Sequence, residues 1–303
     1  MPYESYLGTT SPPRSKVYER VFRTTTPEET TGALMWAQAI STVLMSFTGM
    51  FEVALRNRMH VSLSRQATAK LGVDSSDSYP WYDKSKGWKT LTGETHEKVE
   101  RLLSENGIRT PVQPSPDRVV AGLSMGVWPN ILAVQLTQQE QRKTFIDVFA
   151  SHPKHKKKFW DYDPNRDDVA KRCRKVQDLR NRLAHCNPVW PEGWFSNSAS
   201  QHWTDMLRRV VAQHSDALEL LEWMCPSTAQ VYRSSFAGQW FNQLCTEDAV
   251  LHYVQQPLGV VNLGIPAADR ATLTAFIARQ NMAAPAPVAA AARPAPAAVA
   301  PPA

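Results

Sequence analysis

The segment Arg180-Asn181-Arg182-Leu183-Ala184-His185 gathers permanent cations, an amide and a proton-transfer group at the end of a charged helical stretch. Cys186-Asn187-Pro188 follows at once as a stop signal. Arginine stays cationic and grips phosphate oxygens with a planar fork, which suits it to stabilising charge on a reacting phosphate. Histidine titrates near neutrality and suits general acid or base work. Together they fit cleavage of a phosphodiester by an adjacent 2′-hydroxyl. A base removes the hydroxyl proton, the 2′-oxygen attacks phosphorus, and an acid protonates the departing 5′-oxygen. The scheme calls for no metal and no cofactor. Helix positions five apart differ by about 140° in azimuth, so Arg180 must swing to reach the face that Asn181 and His185 share at i, i+4. In the plainer reading, Arg180 and Arg182 are solvated and His185 is a favourable charge at a helix C-terminus.

A second polar group stands in Phe51-Glu52-Val53-Ala54-Leu55-Arg56-Asn57-Arg58-Met59-His60. Glu52, Arg56 and His60 recur at i, i+4, i+8 and form one polar stripe, while Phe51, Leu55 and Met59 form an adjoining apolar one. The plainer reading is an intrahelical Glu52–Arg56 pair worth a few tenths of a kcal/mol.

The pattern Arg180-Asn181-x-x-x-His185 resembles the signature of the HEPN superfamily of helical ribonuclease and nucleotide-binding domains, in particular its Abi-like (abortive infection) proteins. Their N-terminal helix carries a Glu-x-x-Leu-Arg-Asn element similar to Glu52, Leu55, Arg56 and Asn57. Leu123-Ser124-Met125-Gly126-Val127-Trp128 resembles their Gly-plus-aromatic middle segment, where glycine allows close helix approach and tryptophan fills the core. The likeness covers roughly 30–225 and is concentrated in the two short motifs. It implies an all-α, HEPN-like helical bundle acting as a metal-independent endoribonuclease of a bacterial anti-phage or toxin system. On that reading His185 is the general acid/base, Arg180 the phosphate ligand, and Asn181 positions His185 or RNA. Glu52, Arg56, Asn57, His60 and Arg182 support the site or bind RNA; Glu52 is placed to orient Arg180. A homodimer with a composite cleft is implied, as is an antitoxin or regulatory partner. The competing class is a non-catalytic module of the same fold that binds RNA or a partner.

The bulk properties agree with a packed, basic chain. Its 303 residues are 43% hydrophobic, with 10 Trp and 10 Phe. Net charge is +6 and the pI about 9.2, which favours polyanionic partners such as RNA. Cys173, Cys186, Cys225 and Cys245 form no CxxC and no zinc-type spacing with histidine. Reduced thiols in a cytoplasmic protein are expected, and the N-terminus shows no signal-peptide pattern. Residues 33–55 are apolar enough to need a membrane check, but interspersed polar residues predict a buried core helix rather than a span. No P-loop, dinucleotide fingerprint, GxSxG or HExxH is present.

These motifs need elements to hold them. Residues 1–30 show no clear periodicity and read as an irregular lead-in. Thr30 or Thr31 caps a helix running to about Lys70, with a bend at Gly49. A loop over 72–90 carries Trp81, Tyr82 and Trp88. A helix over 92–105 ends on Asn106-Gly107 as a left-handed cap. Ser115-Pro116 opens another to about Val127, and Pro129 forces a break or restart. Helical pattern returns over roughly 136–150. The run Lys154-His155-Lys156-Lys157-Lys158 lies in a connection, as a solvated loop or a phosphate-contacting strip. The helix carrying the Arg–His motif starts near Pro164. Further helices are expected at 198–224, 227–245 and 267–281. The domain plan is thus a lead-in (1–30), a helical domain (31–245), a C-terminal helical extension (246–281) and a disordered Ala/Pro-rich tail (282–303).

Overall fold

In the computed structural model the described residues are 2–86, 88–191 and 203–255. Among them stand thirteen α-helices and a two-stranded hairpin, an all-α architecture as expected. Residues Met1–Val261 form one unit, and the second unit, Asn262–Ala303, lies outside the described residues. The expected helix at 267–281 and the Ala/Pro tail belong to that second unit.

The organising element is α3, Pro27–Leu71, 45 residues long and therefore about 68 Å from end to end. Its start lies upstream of the expected Thr30 or Thr31. Thr26 is the N-cap: its hydroxyl accepts from Glu29 N, the Glu29 carboxylate accepts from the Thr26 N–H, and Pro27 occupies the first turn. The helix continues unbroken through Gly49 and ends on Gly72 in the left-handed conformation (φ 67°).

Two core clusters lie along α3. Phe47, Phe51, Leu55, Met59 and Leu63, all fully buried, belong to the first, with Trp81, Trp128, Phe145 and Trp160. The second joins Leu34, Trp36, Ile40 and Leu44 to Leu179, Leu183, Trp190 and Trp203. Length and apolar composition alone would let α3 cross a membrane. In the fold one apolar face of α3 is buried in the two core clusters, while Met45 and Val53 remain exposed.

The irregular lead-in expected over 1–30 is instead two helices, α1 (Pro2–Thr9) and α2 (Pro12–Phe22). Prolines in the first turn of α2 pre-set its backbone, and Tyr18, Val21 and Phe22 enter the second core cluster. The C-terminal extension also returns to the body: α13 (Glu247–Gln255) packs against α3 at Gly32, where any Cβ would collide with the Tyr253 carbonyl.

In the middle of the chain, α4 (Gly93–Leu103) stops two residues before the expected end. Asn106-Gly107 is then the turn of a tiny hairpin, β1 (Ser104–Glu105) against β2 (Ile108–Arg109), rather than a helix cap. Both turn residues have positive φ, 52° and 81°, the backbone that Asn-Gly favours in a type I′ turn. Helix α5 (Pro116–Gly122) also ends before Val127. The chain restarts at α6 (Val127–Asn130), which takes Pro129 into its first turn and passes into a π-helical Ile131–Gln135. Helices α7 (Gln138–Val148) and α8 (Lys157–Asp161) follow, with Lys154, Lys156, Lys157 and Lys158 all exposed.

Helix α9, Asp163–Ala184, carries the Arg–His motif. Its start is fixed by buried Arg166, which donates to Gln141 Oε1 at 2.8 Å and to the Trp160 carbonyl. Its middle is fixed by Arg172, which meets Asp216 (2.9 Å) and Glu219 (2.6 Å) on α10 (Trp203–Met224) and lies over the Trp223 ring. Helices α11 (Pro226–Ser234) and α12 (Phe236–Leu244) complete the fold beside α10 and α3.

Candidate active site

The C-terminus of α9 is built as a Schellman stop. His185 is the C-cap residue, and Cys186 follows with φ 52°. The N–H of Cys186 donates to Leu183 O at 3.0 Å, and that of Asn187 to Arg182 O at 2.8 Å, the paired pattern of this motif. A non-glycine residue in the left-handed region costs about 1 kcal/mol, so the stop is held against a local penalty. Pro188 then prevents the helix from resuming.

Leu179 and Leu183 bury the inner side of this last turn in the second core cluster. Arg180 is half-buried, and Asn181 and His185 are exposed. Arg180 Nε stands 3.6 Å from Glu52 Oε2 on α3. The two motif segments, far apart in sequence, thus meet through one ion pair. Such a pair at a partly exposed site is worth about 0–1 kcal/mol. Its larger consequence is geometric, because it sets the direction of the guanidinium. Among the described residues Arg180 makes no hydrogen bond, so its Nη donors remain uncommitted.

The polar stripe Glu52–Arg56–His60 does not act as one surface. Glu52 meets α9. Arg56, Asn57 and His60 line a recess of about 430 Å³ with Asp77, Ser78 and Asp117, and the Arg56 Nε is buried without a partner. His60, expected among the RNA-binding or supporting residues, is only 4% exposed. The Trp81 indole donates to its Nδ1 at 2.9 Å, which places the neutral ring's proton on Nε2, facing Ser78 Oγ (3.5 Å) and Asp117 Oδ1 (3.7 Å). Burial lowers its pKa, with Asp117 pulling the other way. His60 is therefore largely buried and partnered at the edge of the recess that Arg56 and Asn57 also line. The loop bearing Trp81 covers it, and no periodicity within α3 signals that cover.

Arg182 is half-buried, and burial lowers its pKa against an opposing pull from Asp178. Its Nη2 donates to the Val189 carbonyl at 3.5 Å, while its Nε is buried without a partner. A residue the sequence reading did not single out also reaches this end: Arg14 Nη2 on α2 donates to the His185 carbonyl at 3.4 Å. The Ser11-Pro12-Pro13 helix start just before it was the available signal.

Arg180 and His185 share no hydrogen bond or ion pair among the described residues; the first is directed by α3, and the backbone of the second by α2. Gly126 and Trp128 have packing roles. The Trp128 ring is fully buried, and a Cβ at Gly126 would come within 2.8 Å of the Gln177 side chain on α9. All four cysteines are free, with Cys173 buried and Cys186 exposed. Among the described residues no group of three or more His, Cys, Asp or Glu side chains is placed to hold a metal ion. In comparisons with known proteins, no family model matches the chain, and neither a curated protein nor a solved structure matches it.

Proposed function

We propose that the protein is an Abi-like endoribonuclease with a HEPN-type helical bundle, cutting RNA by attack of a 2′-hydroxyl on the adjacent phosphorus. The observation that carries this reading is the Glu52–Arg180 pair, which joins the two segments bearing the family-like motifs at one helix end. Glu52 holds Arg180 so that its free Nη donors face a phosphate and stabilise charge as it builds in the transition state. His185, exposed at the C-cap, moves the protons, and exposed Asn181 stands one turn before it on the same side. The bond formed is 2′-O–P and the bond broken is P–O5′, leaving a 2′,3′-cyclic phosphate and a 5′-hydroxyl. The reaction needs both a base and an acid, and one chain offers one such histidine. Two copies related by a two-fold axis supply one each, which makes a homodimer part of the proposal. Action in a bacterial anti-phage or toxin system, under an antitoxin or other regulator and in the cytoplasm, belongs to the same reading.

The separate anchoring of Arg180 and His185 favours a second reading, a non-catalytic module that binds RNA through the same cations. Incubating the purified protein with total RNA in EDTA, beside His185→Ala, separates the two. The expected result is cleavage that persists in EDTA, leaves cyclic-phosphate ends and disappears in the variant. Binding without cleavage selects the second reading. Strict dependence on Mg²⁺ or Mn²⁺ overturns the mechanism.

A further inference from the structure

Next to the His185 end of α9 lies a cleft of about 510 Å³ between that helix end and α2. Its polar lining comprises Arg14, Arg20 and Arg182 with Ser11 and Asn187, and Trp190 forms part of its wall. The described lining holds three guanidinium groups and no carboxylate. None of the three takes part in an ion pair among the described residues, and Arg182 feels an opposing pull from Asp178, one turn before it on α9.

Their donors are largely unspent. Arg14 uses Nη2 on the His185 carbonyl, Arg182 uses Nη2 on the Val189 carbonyl, and Arg20 makes no hydrogen bond among the described residues. Each guanidinium carries five N–H donors in a fixed fork, a geometry matched to phosphate oxygens. Three like charges around one cleft repel each other until an anion enters. The support is firm: Trp190 is 2% exposed and packs edge-on against Tyr18 and Phe22 of α2. The recess around Arg56 differs in charge, since Asp77 and Asp117 line it as well.

We infer that this cleft is a phosphate subsite for the RNA backbone, in which Arg14, Arg20 and Arg182 hold a phosphodiester of the strand presented to His185. The inference rests on the ribonuclease reading for the identity of the polyanion. The hydrogen bond from Arg14 to the His185 carbonyl joins the subsite to the helix end that carries the proton-transfer group.

The test uses the full chain carrying His185→Ala, which retains the backbone contact to Arg14 and leaves RNA uncut. Binding of a short fluorescein-labelled single-stranded RNA is followed by anisotropy across a salt series. Arg14→Gln/Arg20→Gln should bind about tenfold more weakly or worse. The slope of log K against log salt should shrink by about 0.7, because the one phosphate of a single strand that the cleft holds is no longer neutralised. Arg20→Gln alone, at an exposed position that holds nothing else in place, should show about half of that slope change. Arg20→Lys, which keeps the point charge, should restore the slope, and thermal melts check that each variant is folded. Unchanged affinity and slope in the folded double variant overturns the subsite while leaving EDTA-resistant cleavage to be judged separately. Displacement of the RNA by inorganic phosphate at equal phosphate concentration also overturns it, as a site for free anions. Arg20-dependent RNA binding, beside an unmodified chain that itself cuts no RNA, sustains the subsite and defeats the nuclease reading.

Discussion

His60 and His185 both lie in motif-bearing helical segments, yet the fold treats them oppositely. His60 is enclosed, with an indole donating to one nitrogen and Ser78 and Asp117 facing the other. His185 sits at a helix C-cap with its side chain exposed; its backbone is engaged, the N–H donating to Asn181 O and the carbonyl accepting from Arg14. A histidine can exchange protons with a bound substrate only if a ring nitrogen is reachable and not already committed. The difference between these two comes from what covers the helix. The 72–90 loop lays Trp81 over His60, whereas Cys186-Asn187-Pro188 ends α9 at His185, whose side chain stays exposed. A motif histidine is informative about chemistry only together with its cover.

The sharpest way to break that comparison is kinetic. Replacing His185 or Arg180 by Ala should lower the RNA cleavage rate at least about 10²-fold, the usual cost of losing acid–base or electrostatic stabilisation. Both side chains are at least partly exposed, so the stability change should stay within about 1 kcal/mol, the upper value of the Glu52–Arg180 pair. Wild-type rates in either folded variant would remove these residues from the site.

His60→Ala should show the reverse. It leaves the buried Trp81 N–H without its acceptor, a loss of about 1–3 kcal/mol, and opens a small cavity beside the first core cluster. A lower urea midpoint with an unchanged m-value is the expected result. A midpoint equal to that of the unmodified chain would show that the indole–imidazole contact contributes nothing and would reopen a surface role for His60.

Glu52→Gln is a smaller perturbation and probes positioning. The pair with Arg180 is partly solvated, so folding should change by less than about 1 kcal/mol. Cleavage should fall roughly tenfold, because a misdirected guanidinium loses part of its transition-state contact. Glu52→Asp, which keeps the charge on a shorter arm, should recover part of the rate. No change in rate with Gln would leave the pair a purely structural link between α3 and α9.

The same contrast explains what the sequence disclosed. The long α3, the charged α9 and its abrupt end were legible because apolar spacing, the acidic first turn and Asn187-Pro188 are local signals. Burial of Trp128 was legible too, since a tryptophan beside a close-packing glycine has few other uses. The helical nature of residues 2–22 was not, because α1 and α2 are short and gain their order from Tyr18 and Phe22 packing on Trp36 and Trp190. Asn106-Gly107 serves helix caps and hairpin turns alike, and only the pairing of Ser104 with Arg109 decides between them. In the candidate site, the approach of Glu52 to Arg180 followed from family-like motifs. The arrival of Arg14 and Arg20 did not, because it depends on how α2 lies across the end of α9.

The smallest expected effect is a pH slope, and its sign follows from burial. In the unfolded chain His60 titrates near 6.5, whereas in the folded protein burial lowers its pKa. Below about 6.5 the unfolded state therefore binds more protons than the folded state, and stability falls as pH falls; above it the contribution is complete. His214 acts in the same direction. It is stacked on Phe241, hydrogen-bonded to the Tyr232 hydroxyl at 2.8 Å, and pushed by burial to about 4. Denaturation midpoints should thus decline between about pH 6.5 and 4, and the decline should be shallower in His60→Gln and shallower still in His60→Gln/His214→Gln. The control is His185→Gln, at an exposed ring with no hydrogen bond among the described residues, and it should keep the slope of the unmodified chain. A flat profile in the unmodified chain, or a slope that His185→Gln removes, would reverse the assignment of the buried and the exposed histidine.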